Sequence, residues 1–103
     1  MNTNVKKIYS KIKNDNDYII FGLSHCIYCK KTIEFLQNNY ISYKYYLIDD
    51  FKDLFFKNFI KLGSEYKSLD INLKHNTVPV IFYKKKFIGG YTDLVEIFNN
   101  HKT

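Results

Sequence analysis

Tyr18-Ile19-Ile20-Phe21-Gly22-Leu23-Ser24-His25-Cys26-Ile27-Tyr28-Cys29 is the stretch that decides the architecture. Its first four residues make a short, unbroken apolar run, the pattern of a strand buried on both faces. Gly22 breaks the run. From Cys26 to Asn39 the period becomes helical, with Cys29, Ile33, Leu36 and Tyr40 on one face and Asn38-Asn39 closing the helix. Tyr43 to Ile48 reads as a Tyr-rich strand ending at Asp49-Asp50. Strand, helix and strand within about 30 residues form a βαβ unit, so the two strands are expected to be parallel with a right-handed crossover.

On the N-terminal side, Val5, Ile8, Tyr9 and Ile12 share one face of a helix, and residues 1–16 are read as that helix and its cap, ended by Asn14-Asp15-Asn16-Asp17. On the C-terminal side, Phe51 to Leu62 is helical by period, with Gly63 as its C-cap. Residues 64–76 are ambiguous. Tyr66, Leu69 and Leu73 suit a short helix starting near Ser64, whereas Asp70-Ile71-Asn72 is poor helix material. Val78 to Tyr83 is a strand, Lys84-Lys85-Lys86 a hairpin tip and Phe87-Ile88 the antiparallel partner, broken at Gly89-Gly90. A last helix runs from Asp93 to Asn100, burying Leu94, Ile97 and Phe98, with Asp93 and Glu96 resembling a capping box. The order predicts an α/β fold: a four-stranded mixed sheet with helices on both faces, in one domain spanning residues 1–103.

Composition sets the outer limits. A chain of 103 residues, rich in Tyr and Phe, is neither disordered nor collagenous and supports a single core. No apolar run approaches the roughly 20 residues of a membrane span, so no membrane partner is expected. The basic N-terminal residues have no apolar stretch behind them, which points to a cytoplasmic location rather than export. The net charge of +6 comes from lysine alone, since the chain has no Arg, and it accompanies an excess of Asn, Ile, Tyr and Phe. These are residues of A/T-rich codons, and no basic stripe with interleaved aromatics tracks one element, so nucleic acid is not an expected partner. In a chain this poor in Gly and Pro, Gly22, Gly63, Pro79, Gly89 and Gly90 stand where the backbone needs them.

Chemistry centres on Cys26 and Cys29. They sit where a buried strand gives way to a helix, whose first turn offers free N–H groups and the positive end of the macrodipole. Negative charge on Cys26 is stabilised there, with Lys30 and Lys31 nearby. Cys29 shares the face of Ile33 and Leu36 and is expected to stay buried as a thiol. The spacing therefore suggests that Cys26 attacks and Cys29 resolves. A zinc site would need four ligands, and His25, His75 and His101 lack the spacing to supply them, so no metal is expected. Thr77-Val78-Pro79 carries the only proline, at the start of a strand, where a cis bond would leave the Val78 backbone open to an extended peptide. Gly89-Gly90-Tyr91-Thr92-Asp93 leads into the last helix, whose N–H groups suit a carboxylate, while Asp93 suits an ammonium group.

Phe21 to Cys29, Thr77-Val78-Pro79 and Ile88 to Leu94, in this order and spacing, closely resemble the glutaredoxins, and the resemblance runs from about Tyr18 to Asn99. It implies a thioredoxin-like fold, a cis Pro79 and a glutathione-dependent thiol–disulfide oxidoreductase acting on glutathionylated and disulfide-containing proteins, with ribonucleotide reductase a common client of the family. It implies a monomer with no permanently bound cofactor and glutathione as co-substrate. Glutathione would meet Val78 through its cysteine backbone and Thr92 and Asp93 through its γ-glutamyl end. Tyr28, Thr77, Pro79, Gly90 and Tyr91 would complete the groove. Two positions depart from the family pattern. Ile27 replaces the usual proline, a change found in glutaredoxins that share an iron–sulfur cluster, which makes a cluster carrier the rival reading. Leu23 replaces a usual cation, and the sequence does not show which residue, if either of Lys61 and Lys74, could reach in instead. A thioredoxin-type reductase is the other rival. It is opposed by the absence of Trp and of Gly-Pro between the cysteines, and by the Gly-Gly-Tyr-Thr-Asp motif.

Overall fold

β1 (Tyr18–Gly22) runs through the interior of the sheet, as its unbroken apolar run requires, and each of its residues is buried. The computed structural model describes residues 3–13 and 17–100. Around β1 lie α1 (Thr3–Lys13), α2 (Ile27–Asn38), β2 (Tyr43–Leu47), α3 (Lys52–Glu65), β3 (Val80–Tyr83), β4 (Lys86–Gly89) and α4 (Tyr91–Asn100), with 3-10 turns at Asp49–Phe51 and Lys67–Leu69. The described residues form one four-stranded sheet in the order β2-β1-β3-β4. β1 is parallel to β2 and antiparallel to β3, and β3 is antiparallel to β4. This is the thioredoxin-like architecture.

The alternation of β1 divides the core in two. Ile19 and Phe21 face the cluster under α1 and α3, with Val5, Ile8, Ile12, Phe55, Phe59 and Phe82. Tyr18 and Ile20 face the cluster under α2 and α4, with Leu36, Ile81 and Leu94. Each large side chain removed from water contributes about 1.5–3 kcal/mol. Tyr9 on α1 stacks on Tyr66 at the end of α3, with ring centroids 3.9 Å apart. Those contacts hold the N-terminal helix to the domain. Its sequence-assigned cap at Asn14-Asp15-Asn16 lies outside the described residues.

Several boundaries differ from the sequence reading. Gly63 does not cap α3. The helix continues to Glu65, and Gly63 is needed because a side chain there would run into Leu73 and Ile71 of the following segment. The ambiguous stretch holds only the 3-10 turn Lys67–Leu69, ended by Asp70 in the left-handed region. Leu69 is buried, while Leu73 is exposed. β3 starts at Val80, not Val78, and α4 starts at Tyr91, not Asp93. In α4 only Leu94 is fully buried, with Ile97 and Phe98 half-buried.

Tyr40 leaves the apolar face assigned to it. It is 97% exposed, with φ at 57°. The reason is the way α2 ends. Tyr40 N–H donates to Gln37 O at 3.1 Å and Ile41 N–H to Leu36 O at 2.9 Å, the bond pair of a Schellman motif whose left-handed residue is usually glycine. Tyr40→Gly is therefore expected to raise stability by about 0.5–1 kcal/mol, the relief of a left-handed side chain less glycine's extra unfolded-state freedom. Urea unfolding measures it, and an unchanged or lower midpoint would refute it.

Candidate active site

β1 and β2 are parallel and in register at Gly22 and Leu47. Two residues further along each chain, Ser24 and Asp49 meet. The Ser24 amide donates to Asp49 Oδ1 at 2.9 Å and its hydroxyl to Oδ2 at 2.7 Å. The Ser24 hydroxyl, then its amide, hold the Asp49 carboxyl below its ordinary range. This two-point clamp fixes the loop that delivers Cys26 to the start of α2. Neither residue was singled out from the sequence. The signal was present in the parallel βαβ reading, since residues just beyond two paired strand ends face each other.

Cys26 is the N-cap of α2, with extended backbone (φ −149°, ψ 116°). Its Sγ accepts the Cys29 N–H at 3.2 Å, so the sulfur already occupies the anion position of a helix N-terminus. Both cysteines are unpaired, Cys26 half-buried and Cys29 buried. Burial pushes the Cys29 thiol up to about 11, the Cys26 side chain adding to the rise. The Leu23 amide and the Tyr45 hydroxyl oppose it. The face of α2 turned inward carries Cys29, Thr32 and Leu36. Thr32 is tolerated there because its hydroxyl donates to Tyr28 O at 2.7 Å. Ile33 is only half-buried, and Ile27 is 71% exposed.

The eight residues assigned from sequence to substrate binding come together. Tyr28, Thr77, Val78, Pro79, Gly90, Tyr91, Thr92 and Asp93 line one groove of about 210 Å³. The Val78–Pro79 peptide bond is cis. The Tyr28 and Tyr91 rings lie 6.0 Å apart and join the first turn of α2 to the first turn of α4. Asp93 needs correction. It sits in the first turn of α4 rather than at its cap, and its Oδ2 accepts the Gly90 N–H at 2.8 Å. This is the reach-back half of a capping box, and Glu96 plays no part in it. Gly89, with φ at 123°, is required because a side chain there would strike the Asp93 carboxylate.

The other candidates fall elsewhere. Leu23 is half-buried against the core under α1 and α3, which accounts for an apolar residue at that position. It lines a wider hollow of about 710 Å³, together with Cys26, Lys30, Glu34 and Gln37, rather than the Tyr28–Asp93 groove. Lys61 and Lys74 border neither. A third, largely apolar groove of about 340 Å³ between α1 and α3 lies under the opposite face of the sheet from the thiols. His75 lies between Phe59 and Phe87, its buried Nε2 without a hydrogen-bond partner among the described residues. His101 lies outside the described residues. Among the described residues no group of three or more His, Cys, Asp or Glu could hold a metal ion, and no helix is long and apolar enough to cross a membrane.

A half-buried sulfur at a helix start with a second, buried sulfur one turn on supports thiol–disulfide exchange, so fold and site together define a thioredoxin-like oxidoreductase. The glutaredoxin family profile matches residues 7–88. The chain is 32% identical over 95 residues to Glutaredoxin-2 of Schizosaccharomyces pombe, covering 91% of this chain and 78% of that protein. It is similar to the solved dithiolic glutaredoxin of Trypanosoma brucei brucei, with TM-score 0.66 and 28% identity over 92% of this chain and 89% of that one. It is also similar in fold to a buckwheat glutaredoxin–glutathione complex, with TM-score 0.70 and 20% identity over 95% of this chain and 81% of that one. The chain belongs to the glutaredoxin family.

The state of Cys29 has a consequence for stability. Its thiol is raised from an ordinary 9.0 to about 11 in the folded chain. Between these values the unfolded chain holds fewer protons, so this group lowers stability as pH rises from 9.0 toward about 11. Replacing Cys29 with Ala is expected to flatten that part of the alkaline decline. Denaturant midpoints of both proteins across the range measure it, and parallel curves would contradict the assignment.

Proposed function

We propose that this protein is a dithiol glutaredoxin, using glutathione to reduce protein–glutathione mixed disulfides and protein disulfides. The observation that carries the reading is the groove formed by Tyr28, the cis Val78–Pro79 segment and the start of α4, built beside the turn that holds Cys26. Its chemistry suits a small zwitterionic peptide. Val78 precedes β3 and stands outside the ladder, where its backbone can pair with an extended chain. The first turn of α4 offers N–H groups to a carboxylate, and Asp93 offers a carboxylate to an ammonium group. The buckwheat protein of the same fold was solved with glutathione, which supports the same ligand here.

In the proposed cycle the Cys26 thiolate attacks the glutathione sulfur of a glutathionylated protein. The mixed disulfide bond breaks, the protein leaves as a thiolate that takes up a proton, and Cys26 carries glutathione. A second glutathione thiolate attacks the bound glutathione sulfur, releasing oxidised glutathione and the Cys26 thiolate. With a protein disulfide, Cys26 becomes linked to the client. Cys29 then attacks Cys26 Sγ, releasing the reduced client and leaving a Cys26–Cys29 disulfide, which two glutathione molecules reduce. Both routes are completed by side chains of one chain, which supports action as a monomer. They require reduced glutathione, which supports a cytoplasmic location.

Cys26→Ser is expected to abolish both activities. Cys29→Ser is expected to keep deglutathionylation and lose protein-disulfide reduction. Loss of both in Cys29→Ser, with activity retained in Cys26→Ser, would reverse the roles. Asp93→Asn keeps an acceptor for the Gly90 N–H and removes the charge. It is expected to raise the KM for glutathione about tenfold, from the loss of a charged hydrogen bond, while leaving the melting temperature nearly unchanged. An unchanged KM would leave Asp93 with the capping role alone.

A further inference from the structure

Tyr45, in β2, was not part of the sequence reading of the site. Its ring packs on the cluster under α2 and α4, and its hydroxyl donates to Leu23 O at 2.7 Å. Gly22 shows what lies beside that hydroxyl. A side chain at Gly22 would meet the Tyr45 Oη and, at 2.8 Å, the Cys29 Sγ. The phenol oxygen and the resolving sulfur thus share the hollow over a glycine Cα, the sulfur itself being closed off from water: Cys29 is 1% exposed.

We propose that Tyr45 is a positioning residue for the resolving step: its hydroxyl rests on the Leu23 carbonyl while Cys29 is a thiol and turns to the Cys29 sulfur as that sulfur ionises. This rests on the dithiol cycle proposed above. Cys29 must lose its proton to attack Cys26 Sγ, and burial makes that costly. A donor aimed at the sulfur lowers the cost, because a hydrogen bond to an anion outweighs one to a neutral carbonyl. Tyr45 suits the task because burial, with the adjacent Cys29, pushes its own ionisation far above the ordinary 10.0, so it stays a donor. The titratable groups acting on Cys29 are Cys26 and Tyr45, and Asp49 acts in turn on Tyr45. In the step itself the Cys29 thiolate forms the bond to Cys26 Sγ and the bond from Cys26 to the client sulfur breaks. Two electrons pass to the client, whose thiolate takes up a proton. Tyr45 gains and loses no proton.

The test needs no glutathione. With 5,5′-dithiobis(2-nitrobenzoate) as oxidant, Cys26 attack releases one coloured thiolate, and Cys29 attack on the resulting mixed disulfide releases a second. Stopped-flow absorbance separates the phases. In Tyr45→Phe the second phase is expected to slow about tenfold, the loss of one hydrogen bond to a charged group, while the first changes less than twofold. The second-phase rate plotted against pH is then displaced upward by about one pH unit. A merely structural Tyr45 would slow both phases together and lower the melting temperature, and that result, or an unchanged second phase, would overturn the proposal. A wild-type chain with two phases but no glutathione-dependent turnover would refute the glutathione reading while leaving the Tyr45 assignment to be decided by the same traces. A wild-type chain lacking the second phase would overturn both.

Discussion

The reactive end of this molecule depends on how β1 ends. Four residues buried on both faces of the sheet bring the chain to Gly22, and the absence of a side chain there lets the Cys29 sulfur and the Tyr45 hydroxyl approach the backbone from above. The next residues have no ladder partner: the Ser24–Asp49 clamp ties them to the turn that follows β2, and the Tyr45 hydroxyl of β2 rests on Leu23 O. The clamp sets the direction in which α2 starts, and hence where Cys26 stands. Buried side chains supply the stability of the core. The reactive geometry comes from a few directed hydrogen bonds at the rim of the sheet.

The same junction makes two chemically identical side chains unequal. Cys26 is half-buried and accepts a backbone N–H at the helix start, whereas Cys29 faces the sheet and is held as a thiol by burial. In the proposed cycle, attack and resolution place opposite demands on a sulfur. The first needs charge and access. The second needs protection until a mixed disulfide has formed, then a means of ionising where water does not reach. One turn of helix at the edge of a core supplies both environments within a single Cys-x-x-Cys spacing.

Local signals made most of the fold legible. The apolar run of β1, the helical period of α2 and the parallel βαβ unit were all readable, because each is encoded within a few neighbouring residues. The groove was legible for a different reason: its eight residues fall in three short motifs resembling a known family. The misreadings share a cause. Gly63 looks like a C-cap because a glycine needed for close packing against Leu73 and Ile71 carries the same letter as one needed for a left-handed turn. Asp93 resembles an N-cap because nothing local marks Tyr91 as the first helical residue. Tyr40 fits the apolar period but lies just past the point where the helix ends. Ser24–Asp49 and Tyr45–Leu23 span 25 and 22 residues and emerge only once strand register is fixed.

Two hollows border the helix that carries Cys26, and the choice between them tests the mechanism most directly. One is the Tyr28–Asp93 groove, and the other, on the opposite flank of α2, is lined by His25, Lys30, Glu34 and Gln37. Treating the Cys29→Ser protein with oxidised glutathione should trap one glutathione on Cys26, and backbone NMR shifts of that adduct against the free protein report where the tripeptide lies. The mechanism predicts the largest changes at Tyr28, Thr77, Val78, Tyr91 and Thr92, with nuclear Overhauser contacts from glutathione to Val78. Changes concentrated at His25, Lys30, Glu34 and Gln37, or no adduct on Cys26, would contradict it.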